Sequence, residues 1–442
     1  MMHSGNSVIK LFKRINSYEY GRMAIKNSAY DFLSSSVAKI GSLFFTIILA
    51  RMLMPELFGL YNLVMSTILL IGSLAVLGVN QTLIKFVSEE IKEKKGNSRE
   101  IILYLWKIRL FILGVTLLII LFSAHFIYSE IYRKSITIAL MGGIFFLAFM
   151  NFSSFLESVL YSLNRVDIAF HKEILFQLIR MVLVFFGIFM TMNYSNDLRL
   201  FFIFVLLGVS YLFSDLYMFS FLKREPLLKK TKDKLGREKK KKLKNFFFLN
   251  STVLLSGIFF SYIDKIMLGY YVRAEFIGYY SAAFGMVSSM AILGSFGTAL
   301  LPIFSRIDKG TLKNALGKSL KFSFLFSLLL LLFTLVISKY LILLAYGKEY
   351  YLSVGILNAL SIIIILLPAS SILLSYFLSM EKQNLVSKLL LITTMINVVL
   401  NFALIKYLLP FGDLAAVYGV CAATIISQVC YLSALYYNSR KE

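Results

Sequence analysis

Residues 26–64 read KNSAYDFLSSSVAKIGSLFFTIILARMLMPELFGLYNLV. From 28 to 50 the stretch is predominantly apolar, over the length of about 20 residues that a helix needs to cross the hydrocarbon core of a bilayer. A second run of this kind covers 58–80. Working outward, ten more follow, at 108–129, 136–163, 174–192, 200–222, 246–268, 276–301, 322–345, 352–379, 389–408 and 414–437. In lipid the backbone must satisfy its own hydrogen bonds, and runs this long do so as helices. The strand-length alternation of an outer-membrane barrel is absent. The expected fold class is an all-α integral membrane protein with about twelve transmembrane helices.

Composition agrees. Of 442 residues, 59% are hydrophobic and 16% charged, against about a quarter charged in soluble domains. The net charge of +23 therefore does not imply nucleic acid; its placement has to explain it. Cys421 and Cys430 lie in one apolar stretch, which gives neither a disulfide framework nor metal-ligand spacing. The three histidines, His3, His125 and His171, are scattered. No catalytic residue, metal site or cofactor is expected beyond a coupling ion, H+ or Na+. The first 26 residues are basic and polar and do not read as a cleavable signal peptide.

The opening stretch is duplicated. ELFGLY at 56–61 recurs as EFIGYY at 275–280, 219 positions later. Gly78 and Gly297 keep that offset, and Lys26-Asn27 recurs as Lys244-Asn245 at 218. Each half holds six expected spans, so both enter the membrane from the same side and the repeat is parallel. Two six-helix lobes around a central cavity follow: residues 1–222, a basic linker 223–245, and residues 246–442.

Lysine and arginine placement orients the chain. On one side lie 34 of the 46 basic residues, both termini included, while the opposite loops carry 6 and the spans or their margins the other 6. Both termini are expected in the cytoplasm, and the protein in the cell membrane as a multi-pass chain. The linker contains KKTKDKLGREKKKKLK. It reads first as a solvated, topogenic segment, and alternatively as an anchor on anionic lipid headgroups, at about 1 kcal/mol per basic residue near the surface.

Charged and polar residues inside the spans are the candidates for function. Asp31, Ser35, Lys39, Ser42 and Thr46 fall within a wedge of roughly 80° on the first helix, at about 100° per residue. Glu173, Gln177 and Arg180 share one face of span five. Asn250, Gly257, Ser261 and Asp264 share one in span seven with Lys265 beside it, and Thr393, Thr394, Asn397 and Asn401 do so in span eleven. Glu157 lies in span four. The plain alternative for each stripe is a satisfied contact between packed helices, and Asp31 and Glu157 also serve as simple ion-pair partners. Lys39 and Arg180 resist that reading, because a deep cation needs an anion or water. Lys339 and Lys406 read as snorkelling residues, Trp106 as an interfacial anchor, and Pro368, deep in span ten, as a hinge candidate.

The quoted opening resembles that of the polysaccharide transporters, the Wzx-type oligosaccharide flippases of the multidrug/oligosaccharidyl-lipid/polysaccharide (MOP) exporter superfamily. So do YIDKIMLGYYVRAEFIGYYSAA at 262–283 and INVVLNFALIKYLLPFGDLAAVYGVCAA at 396–423. The resemblance implies two lobes forming a V around a central, often cationic cavity. It implies a polyprenyl-linked oligosaccharide as substrate, flipped from the cytoplasmic to the outer leaflet for cell-surface glycan assembly. Lys39 and Arg180 would then attract the lipid-linked diphosphate or acidic sugars. By the same similarity Asp264 fills the family's span-seven acidic position and Asp413 the position after the late-span glycine. Membrane lipid and glycan-assembly proteins are the other implied partners.

Two further functions compete. A cation-coupled multidrug-type antiporter of the same superfamily would use Asp31, Glu157 and Asp264 for coupling. A membrane glycosyltransferase or polymerase would need acidic or histidine groups where donor and acceptor meet on an outer loop, and every expected outer loop is shorter than about ten residues and carries no acidic pair or histidine. No Gly-rich phosphate loop supports ATP hydrolysis.

Overall fold

The computed structural model describes residues 4–75, 78–93, 96–225, 235–293, 297–305 and 309–441. Among them no strand occurs. Helix α1 (Ser4–Gly72) is broken at Met54, whose φ of 59° and ψ of 167° are not helical. The cause is local: proline disfavours the α conformation in the residue before it, and Pro55 then sits where the next helix begins, a position that needs no backbone donor. The chain turns back there. Asn27 Nδ2 donates to Asn164 Oδ1 at 3.4 Å, and Ser88 Oγ donates to the Ser162 carbonyl at 3.2 Å, so residues 27 and 88 lie at the same end of the bundle.

Helix α2 (Val79–Glu93) continues the second limb of α1. It is followed by α3 (Ser98–Phe126), α4 (Thr137–Ser162), α5 (Val166–Met190) and α6 (Asn196–Leu222). The second half holds α7 (Arg237–Tyr271), α8 (Ala274–Leu293), α9 (Gly297–Phe304), α10 (Lys309–Tyr346), α11 (Ser353–Leu360), α12 (Ile363–Ser379), α13 (Gln383–Leu408) and α14 (Asp413–Lys441). Among the described residues, eight helices are long and apolar enough to cross a membrane, or nine when α11 and α12 count as one bent span. The first of these, 29–93, contains both limbs either side of Met54.

Several helices outrun the expected spans. Lys85 and Lys92 stand on α2, Arg99 and Lys107 on α3, and residues 237–245 of the expected linker form the start of α7. Hydropathy marks only the stretch that tolerates hydrocarbon, whereas a helix continues into the headgroup region, where charges are solvated. Trp106 is half-buried against Phe155 and Phe152, with ring centroids 4.8 and 5.5 Å away, and so packs inside its lobe. His3, and the side chains of His125, Asn250 and Gly257, lie outside the described residues.

The two copies of the repeat meet. A Cβ on Gly59 would overlap the Ala274 carbonyl oxygen, and one on Gly278 would overlap the Pro55 carbonyl oxygen. Pro55 and Ala274 are 219 positions apart, as are Gly59 and Gly278. The contact is therefore reciprocal, each glycine admitting the backbone of the other copy, as a pseudo-two-fold along the bundle requires. The same end, far from the basic loops, is held by further bonds between the halves. Arg51 donates to the carbonyls of Ala345 (2.7 Å) and Leu344, Tyr350 Oη to that of Ala50 (2.8 Å), and Lys134 Nζ to that of Gly269 (2.6 Å).

Candidate functional site

Two adjoining clefts share Ala38 and Ser42 of α1 as a common wall. One, of about 610 Å³, lies within the first lobe and is lined by Ser153, Ser154 and Glu157 of α4, by Lys172, Glu173, Gln177 and Arg180 of α5, and by Tyr211 of α6. The other, of about 690 Å³, lies between the lobes. There Lys39, Ser42 and Thr46 of α1 face Gly285 and Ser289 of α8 and Tyr346 of α10. Of the wedge on the first helix, Lys39, Ser42 and Thr46 line the inter-lobe cleft and Ser42 borders both, whereas Asp31 and Ser35 line neither.

Arg180 is 8% exposed. Its Nη2 donates to Ser42 Oγ at 3.1 Å, and its guanidinium lies over the rings of Phe45 (4.5 Å) and Phe176 (5.2 Å). Stacking on two aromatic faces suits a planar cation, but it does not neutralise the charge. Among the described residues no carboxylate reaches ion-pair distance of Arg180 or of Lys39, and the Arg180 Nε is buried without a partner. Lys39 is exposed to the inter-lobe cleft.

The acids are differently placed. Glu157 Oε1 accepts from Lys172 Nζ at 2.6 Å, and Glu173 lies 4.0 Å from the same ammonium. Gln177 Nε2 donates to Glu173 Oε1 at 2.5 Å, and Asp31 Oδ1 accepts from Tyr161 Oη at 2.6 Å. Asp264 is 6% exposed and accepts three bonds: from Tyr280 Oη and Thr424 Oγ1, each at 2.8 Å, and from Asn401 Nδ2 at 2.7 Å. Asn401 also donates to Asn397 Oδ1 at 3.1 Å, and Asn397 donates to Ser427 Oγ at 3.2 Å. These C-lobe residues, expected in a cavity, form a packed polar node away from both clefts. Lys265 is half-buried beside them and lines neither cleft.

The bend in span ten is real but displaced. Helices α11 and α12 meet at 40° across residues 361–362, while Pro368 sits inside α12. The Ile364 amide bonds the Ser361 carbonyl in a tightened turn, so the break precedes the proline by about two turns. Asp413, at the mouth of α14, accepts from the Arg273 backbone N–H and Nε, both at 3.1 Å, and ties the α7–α8 turn to α14.

Lys172 does not stand out in the sequence, because it precedes the apolar run 174–192. Helix α5 starts at Val166, eight residues before the expected run, and the Lys172 side chain is only 2% exposed. Its i, i+8 relation to Arg180 was the available signal, since that spacing returns to the same helix face. Arg109, the second residue of the apolar run 108–129, is fully buried and donates to Asn80 Oδ1 at 2.5 Å and Asn151 Oδ1 at 3.2 Å. Asp215, the lone acid within the run 200–222, was also passed over; it is 1% exposed.

Residues 24–308 match the family described as polysaccharide biosynthesis protein. No curated protein matches the chain in sequence. Among solved structures, a lipid II flippase MurJ in an inward closed conformation is 18% identical with a TM-score of 0.68, over 93% of this chain and 87% of that one. An inward-facing multidrug resistance MATE transporter of the MOP superfamily is 13% identical with a TM-score of 0.70, over 93% and 98%. A MOP superfamily transporter from Pyrococcus furiosus, described by a reversed polarity of its binding pocket, is 14% identical with a TM-score of 0.58, over 95% of each chain. At these identities the likeness is one of fold.

Proposed function

Since the chain belongs to the polysaccharide biosynthesis protein family and has the fold of MOP-superfamily transporters, we propose that it flips a polyprenyl-linked oligosaccharide across the cell membrane by alternating access. Both termini would lie in the cytoplasm, on the side that carries most of the basic residues. The product would feed cell-surface glycan assembly, and no covalent chemistry is required of this chain.

One observation carries the reading. In the two adjoining clefts the cations Lys39 and Arg180 have no carboxylate partner among the described residues, while the acids beside them are engaged by Lys172, Gln177 and Tyr161. Such a site attracts an anion such as a diphosphate. A cationic drug would need the opposite arrangement, with free acids and paired cations. Ile40 and Phe44, which follow the cleft residues Lys39 and Leu43 on α1, are apolar and more than half exposed. A headgroup can therefore travel through polar surroundings while its chain stays in lipid.

The test is transport by the purified full chain in proteoliposomes. Translocation of a polyprenyl-diphosphate oligosaccharide, with no uptake of a cationic dye, is the expected result. Dye exchange without movement of the lipid-linked sugar would establish the cation antiporter instead.

A further inference from the structure

Arg109 of α3 is fully buried and lines neither cleft. Among the described residues no carboxylate reaches ion-pair distance of it, and its Nε has no partner. Two amides and a ring surround the charge instead. Nη1 donates to Asn80 Oδ1 of α2 at 2.5 Å, Nη2 donates to Asn151 Oδ1 of α4 at 3.2 Å, and the guanidinium lies 5.7 Å from the Phe155 ring centroid. Asn151 uses its amide N–H within its own helix, on the Leu147 carbonyl at 3.0 Å. Asn80 uses its own across helices: Nδ2 donates to Ser154 Oγ of α4 at 2.8 Å. Ser154 is half-buried and borders the first-lobe cleft that also holds Arg180.

The direction of each bond is forced. A guanidinium carries donors only, so it turns the Asn80 oxygen toward itself, and the Asn80 NH2 then faces Ser154. Facing a donor, the Ser154 oxygen accepts, and its one proton points away from Asn80. Among the described residues that O–H has no acceptor, and the cleft is the space it borders. Bonds that all run in one sense polarise one another, and this chain starts at a cation that no acid balances. From this juxtaposition we infer that Ser154 is a ligand-binding residue of the first-lobe cleft, held by Arg109 and Asn80 as a polarised O–H donor for an anionic phosphoryl oxygen. Arg109 and Asn80 are positioning residues, since they act through Ser154. Arg180 attracts negative charge into the same cleft, and the Ser154 hydroxyl adds a fixed point that orients it. That the phosphoryl oxygen belongs to a lipid-linked diphosphate rests on the proposed function; the direction of the hydroxyl does not.

Two measurements on the full chain separate these parts. Asn80→Asp keeps the side-chain shape and gives Arg109 a counterion, so the melting temperature should hold or rise. A carboxylate donates nothing, however, and the Ser154 proton should turn from the cleft to the new acid. Binding of polyprenyl diphosphate in nanodiscs should weaken by about 10- to 100-fold in Ser154→Ala, the range for a hydrogen bond to a charged group. It should weaken at least as much in Asn80→Asp, and adding Ser154→Ala to Asn80→Asp should cost nothing further. Unchanged binding in either single variant, or losses that simply multiply in the double variant, would overturn the inference and leave Arg109 as a tie between helices. The second measurement needs no ligand. Ser154→Cys, in a chain with Cys421 and Cys430 replaced, reports the bond through its S–H stretching band in the infrared. Adding Asn80→Asp should move that band to lower wavenumber, as the thiol turns from cleft water to a carboxylate; an unmoved band would overturn the relay. A moved band in a protein that does not bind polyprenyl diphosphate would uphold the relay and overturn the proposed substrate.

Discussion

In the first lobe, Ser42 and Phe45 of α1 meet Arg180 of α5. In the second, 219 positions after Phe45, Asp264 of α7 meets Asn401 of α13. Asn397 of that helix occupies the place of Arg180, each being the fifteenth residue of its helix. Duplicated helices thus bring polar groups together at corresponding points, with opposite results. In the C lobe, Tyr280, Thr424 and Asn401 all donate to Asp264, so both carboxylate oxygens are engaged and the node lines neither cleft, with the Asn401 Oδ1 alone left without a partner. In the N lobe, Arg180 keeps an unpartnered Nε and borders a cleft. A polar stripe on a transmembrane helix therefore becomes glue or binding surface according to whether the opposite helices saturate it.

This contrast can be broken from either side, and the largest effect is expected in the closed node. Asp264→Ala would leave three donors without their acceptor, at about 1–3 kcal/mol for each unsatisfied buried group. Allowing for the second bonds that Thr424 and Asn401 already make, the loss should be about 3 kcal/mol or more, read as a lower melting temperature and reduced abundance in the membrane. Asp264→Asn, which keeps an acceptor oxygen, should lose less.

The open site should respond in binding, with folding spared. Lys39→Ala and Arg180→Gln each remove a charge that no acid balances, so melting temperature and abundance should hold. Affinity for polyprenyl diphosphate should fall by roughly 10- to 100-fold, corresponding to about 1.5–3 kcal/mol for a hydrogen bond to a charged group. A fully active Lys39→Ala transporter would remove that residue from the mechanism. The smallest effect belongs to Ser42→Ala, which takes from Arg180 one neutral acceptor at 3.1 Å. It should weaken binding by no more than about tenfold, for a typical net value near 1 kcal/mol, and leave stability unchanged.

Much of the fold was legible because its causes are local or repeated. Long apolar runs require helices in lipid, and the recurrence of ELFGLY as EFIGYY marks the repeat whose two copies meet at Gly59 and Gly278. The site was legible in part. Lys39 and Arg180 stood out because cations at membrane depth are costly. What sequence could not supply was partnership. Whether Glu157 and Asp264 are free or engaged depends on Lys172, Tyr280 and Thr424, which lie 15, 16 and 160 positions away. The break at 361–362 escaped notice for another reason: Pro368 drew attention, while the tightened turn at Ser361 carries no comparable sequence mark.

The central claim is that the polar face of the N lobe is wet and its C-lobe counterpart dry. Single cysteines introduced into a chain with Cys421 and Cys430 replaced, at positions 35–46 and at 180, 397 and 401, would test it by reaction with a membrane-impermeant thiol reagent. Modification should follow a helical period through 35–46, peaking at Lys39 and Ser42, and should include Arg180, while Asn397 and Asn401 stay protected. Uniform protection of 35–46, or labelling of Asn397 and Asn401 as fast as Ser42, would contradict the account.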